Sequence, residues 1–242
     1  AMKQYKAALV GYGGMGRWHY QGICKTDRVK MIGAYDINPQ RMALAKEDGM
    51  EKTYASYEEL LADKEVDIVV VATPNNTHYE IVKDIIAHGF HIVCDKPVTF
   101  TSRESEELKA LAQEKDLLFG VSYSYAHYAI LEQAKKMIAD GVLGKIHTIA
   151  AEYPQEWVGL NTALRGKDGL TWRVDPAICG PSGVIADIGT HVEYLISKVT
   201  GLKPVRVLAR LRSIPDYVPV ESDAQVLIDY DNGAAGIFWT SF

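Results

Sequence analysis

Three sets of residues in this chain have the types and spacing to do chemistry. The first is Val10-Gly11-Tyr12-Gly13-Gly14-Met15-Gly16, with glycines at G-x-G-x-x-G spacing behind the apolar run Ala7-Ala8-Leu9-Val10. A strand that breaks into such a turn and continues as a helix over 17–24 offers backbone N–H groups and the positive end of the helix dipole to an anion. Gly11 permits the turn, Gly13 has no Cβ to block a pyrophosphate, and Gly16 lets the helix pack close to the strand, with Gly14 and Met15 in the same cradle. A match of this kind alone describes a plain βα connection equally well, so context must decide. Asp36 supplies context: it closes a second short apolar run, 30–36, about twenty residues beyond the loop, where an acid accepts hydrogen bonds from adenosine ribose hydroxyls. Such an acid repels a 2′-phosphate and favours NAD over NADP. Arg41 nearby would accept that phosphate, and Asp36 would also serve simply to open the Asp36-Ile37-Asn38-Pro39 turn.

The second set lies at later strand ends. Asp95-Lys96-Pro97 follows His91-Ile92-Val93-Cys94. A lysine at the carboxyl end of a parallel strand, fixed by a following proline, points to the crevice of the glycine loop, where it can bind a hydroxyl and assist proton movement. Lysines beside proline are also common as solvated turn residues. The polar turn Thr73-Pro74-Asn75-Asn76-Thr77-His78 ends another buried run, which makes Thr73, Pro74, Asn75 and His78 cofactor-side candidates. The plainer reading is that Asn76 or Thr77 caps the next helix. The third set is Asp187 and His191, four apart where the amphipathic run 192–199 begins, so that a helical turn would set both on one face. A histidine oriented by a carboxylate suits removal of a hydroxyl proton as hydride leaves the same carbon. The competing reading makes Asp187 a helix N-cap and His191 a satisfied core residue. Neither reading needs a metal.

The elements that must position these residues follow from periodicity. Val66-Asp67-Ile68-Val69-Val70-Val71-Ala72 is β-branched without alternation, as in a parallel strand buried on both faces. Helical composition over 39–48, a short helix ending near Ala62, and helices over 79–88 and 101–115 alternate with this strand and with strands at 91–94 and 117–122. That order specifies a doubly wound parallel sheet, a dinucleotide-binding domain over 1–123. Beyond it a helix over 128–139 precedes strands at 146–153, 205–211, 224–230 and 234–241, the last two joined by Asp231-Asn232-Gly233. This predicts a second α/β domain over 124–242 on a largely antiparallel open sheet, with one face free for a second copy of the chain. The long segment 154–181 shows little regular pattern. Its Gln155, Trp157, Asn161, Arg165, Trp172 and Arg173 are the ingredients of a carbohydrate site, or of a surface excursion pinned by its tryptophans.

Composition sets the limits. The 242 residues are 48% hydrophobic with a net charge of −5, enough for a sizeable core and without the Lys/Arg cluster a nucleic-acid partner requires. Cys24, Cys94 and Cys179 form no C-x-x-C pair, so neither a disulfide framework nor a zinc site is indicated, and a reducing cytoplasm fits best. No signal-peptide pattern opens the sequence, and no run approaches the ~20 apolar residues of a membrane span.

With Gly11-Tyr12-Gly13-Gly14-Met15-Gly16, Asp95-Lys96-Pro97 and Asp187-Ile188-Gly189-Thr190-His191 in this order, the chain resembles the Gfo/Idh/MocA family of NAD(P)-dependent sugar and polyol oxidoreductases. The resemblance implies a Rossmann domain joined to a C-terminal α/β domain whose open sheet often forms a dimer or tetramer interface. It implies Lys96 and His191 as the catalytic pair, Asp187 as orienting and substrate-binding, and Asp95 on the cofactor side. The family's usual Glu-Lys-Pro is Asp-Lys-Pro here. A narrower likeness, to the branch of levoglucosan dehydrogenase and glucoside 3-dehydrogenases, runs through Tyr125, Tyr153-Pro154-Gln155-Glu156-Trp157 and Trp172-Arg173-Val174-Asp175-Pro176. It implies Tyr125, Gln155, Trp157 and Arg173 at the sugar site. The implied activity moves hydride between a ring carbon of a cyclic sugar, anhydrosugar, glycoside or polyol and a nicotinamide. A redox glycosidase of the same fold and a non-catalytic NAD-binding regulator are the alternatives. Family chains commonly run beyond Phe242, which falls within an expected strand, and a sheet left with an unpaired edge predicts instability of this chain by itself.

Overall fold

The apolar run behind the glycine turn forms β1 (Tyr5–Val10), and the turn leads into α1 (Gly14–Ile23). In this computed structural model, which describes residues 3–242, the chain divides into two compact units, one ending at Ser122 and the other running Tyr123–Phe242. The first unit continues with β2 (Val29–Tyr35), α2 (Pro39–Glu47), β3 (Lys52–Thr53), α3 (Tyr57–Ala62), β4 (Ile68–Val71), α4 (His78–Ala87), β5 (His91–Cys94), α5 (Ser102–Glu114) and β6 (Phe119–Val121). Its six strands are all parallel, in the order β3-β2-β1-β4-β5-β6. The chain starts in the middle of this sheet and winds outward first to one side and then to the other. The carboxyl ends of β1 and β4 therefore flank the switch point where such sheets bind ligands. The strands lack alternation because both faces are covered. Val69 and Val71 pack with Leu60, Val82, Ile85 and Leu108 on one side, and Leu9 and Val70 with Met31 and Ala45 on the other.

α1 begins three residues before the expected start, because Gly13 is itself the N-cap and its carbonyl takes the first helical bond from Arg17 N–H at 2.9 Å. Edge strand β3 escapes periodicity, since two residues carry none.

The second unit holds α6 (Ala129–Ala139), β7 (Thr148–Pro154), α7 (Trp157–Arg165), α8 (Pro176–Cys179), a π-helical turn over Ile185–Gly189 running into α9 (Thr190–Thr200), then β8 (Pro204–Arg212), β9 (Asp223–Tyr230) and β10 (Ala235–Ser241). The sheet order is β7-β10-β9-β8. Two pairings are antiparallel, and β10 with β7 is parallel, so the sheet is mixed. Val192 and Ile196 of α9 cover one face through Val226, Ile228 and Phe238. The segment expected to lack regular structure contains α7 and α8. Of α7 only Val158 and Thr162 are buried, one per turn, too thin an apolar stripe to show a period. Among the described residues no helix is long and apolar enough to cross a membrane.

Candidate functional site

The glycine turn is built so that side chains are excluded from it. Gly11 has φ +92°, and a Cβ there would stand 2.6 Å from the Ala72 carbonyl oxygen; a Cβ on Gly16 would stand 2.0 Å from that of Gly11. No side chain caps α1 and no acid stands in its first turn, and a Cβ on Gly14 would meet nothing within 4 Å. Met15 is exposed beside it. The start of α1 thus has no side-chain cap, and the space beside Gly14 is open.

Asp36, 8% exposed, opens its own turn as the plainer reading of it foresaw. Its Oδ2 accepts from Tyr12 N–H at 2.7 Å and its Oδ1 from Asn38 N–H at 2.8 Å, so it opens its own turn and fixes the glycine loop. Arg41 Nη1 lies 3.3 Å from Oδ2, so the carboxylate offsets this guanidinium. The loop is tied again by Asp48, which accepts from the Tyr12 hydroxyl at 2.8 Å and from Arg17 through two bonds of 2.7 and 2.6 Å. The Arg17 guanidinium holds the Asp48 carboxyl below the usual range, while burial and then Asp48 push the Tyr12 phenol up. A turn closed to a Cβ at Gly11 and Gly16 and open beside Gly14, an uncapped helix start and a buried acid at the next strand end together fit a dinucleotide.

At the neighbouring strand ends, Thr77 stands at the N-cap position of α4 but its side chain makes no capping bond. Its hydroxyl donates to the Pro74 carbonyl at 2.7 Å and lies 2.7 Å from Thr73 Oγ1, and so pins the turn that carries Asn75. His78, expected on the cofactor side, is wholly buried instead: Nδ1 lies 2.8 Å from the Pro97 carbonyl and Nε2 2.8 Å from that of Thr73. It braces two turns and has no surface left for a ligand. Lys96 is half-buried, and its peptide bond to Pro97 is cis. Asp95 is 9% exposed, and its Oδ1 takes both His19 Nε2 and the Ser122 hydroxyl at 2.7 Å. Burial works against its charge, but His19 and Ser122 outweigh burial and hold the carboxyl below the usual range.

In the second unit Asp187 lies inside the π-helical turn, its N–H donating to the Gly183 carbonyl at 2.9 Å, so it is not the helix N-cap of the plainer reading. His191, 8% exposed, is the second residue of α9. Isolated π turns are frequent at functional sites. This one is anchored from outside by Glu221 Oε1, which accepts from Ser182 Oγ at 2.5 Å and from Gly183 and Ile185 N–H at 2.9 and 3.2 Å. Around His191 stand the ring of Tyr125 at 4.6 Å and the edge-on ring of Tyr123 at 5.4 Å. Gln155 Nε2 donates to Tyr153 Oη at 3.0 Å, and Tyr153 Oη to Tyr125 Oη at 3.2 Å. The Tyr153 bond, and burial after it, push the Tyr125 phenol up to about 12. Tyr125 and Gln155 thus belong to the His191 cluster. Trp157 packs on Phe242 at 4.5 Å, against the hydrophobic core, and Arg173 lies 4.8 Å over the Trp172 ring.

Sequence reasoning gave no role to His19, Ser122, Tyr123, Tyr153 and Glu221. Ser122 was readable in principle, since Asp95 and Ser122 directly follow the adjacent strands β5 and β6. His19 and Glu221 act across the fold and leave no local pattern.

A parallel sheet entered at its centre, a side-chain-free turn after the first strand and an acid after the second define a dinucleotide-binding Rossmann unit. Residues 5–123 match the oxidoreductase family with an NAD-binding Rossmann fold, and residues 131–242 match the GFO/IDH/MocA C-terminal domain. The chain belongs to the GFO/IDH/MocA family of oxidoreductases. It is 33% identical to the uncharacterised oxidoreductase YfiI of Bacillus subtilis, over 99% of this chain and 65% of that protein. To levoglucosan dehydrogenase of Pseudarthrobacter phenanthrenivorans it is 28% identical, over 84% of this chain and 54% of that one. An inositol dehydrogenase homolog from Azotobacter vinelandii, solved with NAD+, superposes with a TM-score of 0.88 at 30% identity, over 99% of this chain and 65% of that one. The chain therefore spans little more than half to two thirds of these relatives.

Proposed function

We propose that the protein moves hydride between a ring carbon of a cyclic sugar, anhydrosugar, glycoside or polyol and NAD, with residues 1–123 holding the dinucleotide and 124–242 the substrate. The observation that carries the reading is His191 at the start of α9, ringed by Tyr123 and Tyr125 and preceded by Asp187 in the π turn, in a chain whose other unit is NAD-binding. The nicotinamide supplies the hydride acceptor or donor. His191 exchanges the hydroxyl proton, Asp187 orients its ring, and Lys96 steadies the developing alkoxide. Tyr125, Gln155, Arg173 and Trp157 bind remote hydroxyls and ring faces, and that binding energy aligns the reacting carbon. On the cofactor side, Gly11, Gly13, Gly14, Met15 and Gly16 take the pyrophosphate and Asp36 the adenosine ribose. Thr73, Pro74, Asn75 and Asp95 face the nicotinamide half. Relatives named for levoglucosan and inositol support the substrate class. The open face of the second sheet suits a homo-oligomer.

The deciding experiment follows absorbance at 340 nm with NAD and NADP in parallel on a panel of sugars, anhydrosugars, glucosides and inositols. Net NADH on at least one of them is expected. Sugar release without NADH would identify a redox glycosidase, and NAD binding without turnover a regulator. Replacing Lys96 or His191 by alanine should lower kcat by at least ~10²-fold, the scale of a lost general acid or base, with NAD affinity little changed. Near-full turnover in either variant would remove that residue from the mechanism.

A further inference from the structure

Lys96 follows β5 on a turn, outside any helix or strand, and a turn residue that must meet a reacting oxygen has to be held. The chain holds it on both sides. After it, the Pro97 carbonyl lies 2.8 Å from Nδ1 of His78, whose Nε2 is 2.8 Å from the Thr73 carbonyl. That wholly buried ring is a strut between the turns that end β4 and β5. Before it, His19 Nε2 and Ser122 Oγ both reach Asp95 at 2.7 Å, and both reach the same oxygen, Oδ1. His19 comes from α1, three residues after Gly16, so the helix whose start receives the pyrophosphate also grips the residue next to Lys96.

We infer that His19 is a positioning residue for Lys96: through Asp95 Oδ1 it sets the Lys96 turn against the fixed anchor that His78 gives Pro97. The inference rests on the reading of Lys96 as catalytic. His19 itself touches neither substrate nor hydride in this scheme. An imidazole suits the task because its ring is planar and its Nε2–H donates along one direction, so the carboxylate is fixed in angle as well as distance.

The test compares His19→Ala and His19→Gln with the parent chain in two readouts. The first is the carbon-13 resonance of reductively methylated Lys96 in the dinucleotide-free protein, assigned with Lys96→Arg. It should move in His19→Ala and return in His19→Gln, whose amide can donate to Oδ1. The second is kinetic: kcat should fall roughly tenfold or more in His19→Ala, the scale of a slightly misplaced group, with the NAD dissociation constant unchanged and most of the loss recovered in His19→Gln. An unmoved Lys96 resonance in His19→Ala, or a loss confined to NAD affinity, overturns the inference. The resonance is read without substrate, so a protein that oxidised no sugar would sink the hydride-transfer reading and still leave this assignment decided.

Discussion

The glycines of the turn are not equivalent, and the difference is a matter of a single methyl group. At Gly16 that methyl would press on the Gly11 carbonyl at 2.0 Å, backbone that has nowhere to go, whereas at Gly14 it would enter open space. Gly16→Ala is expected to destabilise the protein by about 1–3 kcal/mol through overpacking, seen as a lower thermal midpoint. Gly14→Ala should leave the midpoint unchanged or slightly raised while weakening NAD, because the space it fills is where the proposed reading brings the pyrophosphate. Equal midpoints for the two variants would show that the turn is not packed as described. In the proposed reading, Asp36 sets the choice of dinucleotide by the same kind of local argument. Its carboxylate offsets Arg41 at 3.3 Å, so Asp36→Ser would release that guanidinium for a 2′-phosphate and keep an acceptor near Asn38 N–H. The ratio of kcat/KM for NADP to that for NAD should rise by about tenfold, equivalent to some 1.4 kcal/mol. A ratio that stayed put would assign the preference to other residues.

Short elements in this chain are held by carboxylates placed outside them. Glu221 satisfies two N–H groups and a hydroxyl at the start of the π turn that carries Asp187. Glu221→Ala should cost about 1–3 kcal/mol in denaturant unfolding, since the donors it leaves are partly buried. Glu221→Gln should recover part of that loss, and identical unfolding curves for all three proteins would refute the anchoring role. Asp63, just beyond α3, does the same for β3: it accepts from Lys52 Nζ and the Tyr54 hydroxyl, both at 2.8 Å. Burial opposes its charge, but Lys52, the Glu65 amide and Tyr54 prevail and hold its carboxyl at about 2. A folded-state value below the unfolded one, about 3.9 for an aspartate, means a contribution present above that pH and lost as pH falls toward 2. Urea midpoints should therefore drop progressively as pH falls below about 5, with a shallower drop in Asp63→Asn. These anchors mark the boundary of what the sequence could reveal. The parallel strands were legible because burial on both faces writes an unbroken apolar run, as at Val69-Val70-Val71. The glycine turn and Asp36 were legible because their spacing is local. The π turn was not, because Glu221 imposes it from a distant part of the chain, and neither was the bracing role of His78, since a histidine after a strand looks the same whether it faces a ligand or two carbonyls.

At the scale of the molecule, the question is what the uncovered face of the second sheet is for. Strand alternation sends Val226, Ile228 and Phe238 under α9 and turns Leu227, Ile237 and Trp239 outward. Register then aligns Leu208 with Leu227, Leu227 with Ile237 and Ile237 with Ala150, so an apolar band crosses all four strands. Paired charges rim it: Arg206 Nε donates to Asp229 at 2.6 Å, and Asp223 accepts from Arg212 Nη2 at 2.7 Å and from Trp239 Nε1 at 2.9 Å. A continuous apolar strip rimmed by paired charges is the anatomy of a partner surface. A second copy is the simplest occupant, because two identical bands related by a two-fold axis cover each other and the assembly closes. Leu227 lies at the centre of the band and is 53% exposed, so its replacement should spare the core. Leu227→Asp would set two carboxylates facing each other in a closed interface, a desolvation that the rim charges cannot relieve. Light scattering on the eluting protein should give a dimer or tetramer for the parent chain and a shift toward monomer for Leu227→Asp, with circular dichroism unchanged. A parent chain that is monomeric at every concentration tested would leave the band without its second copy and refute the proposed assembly.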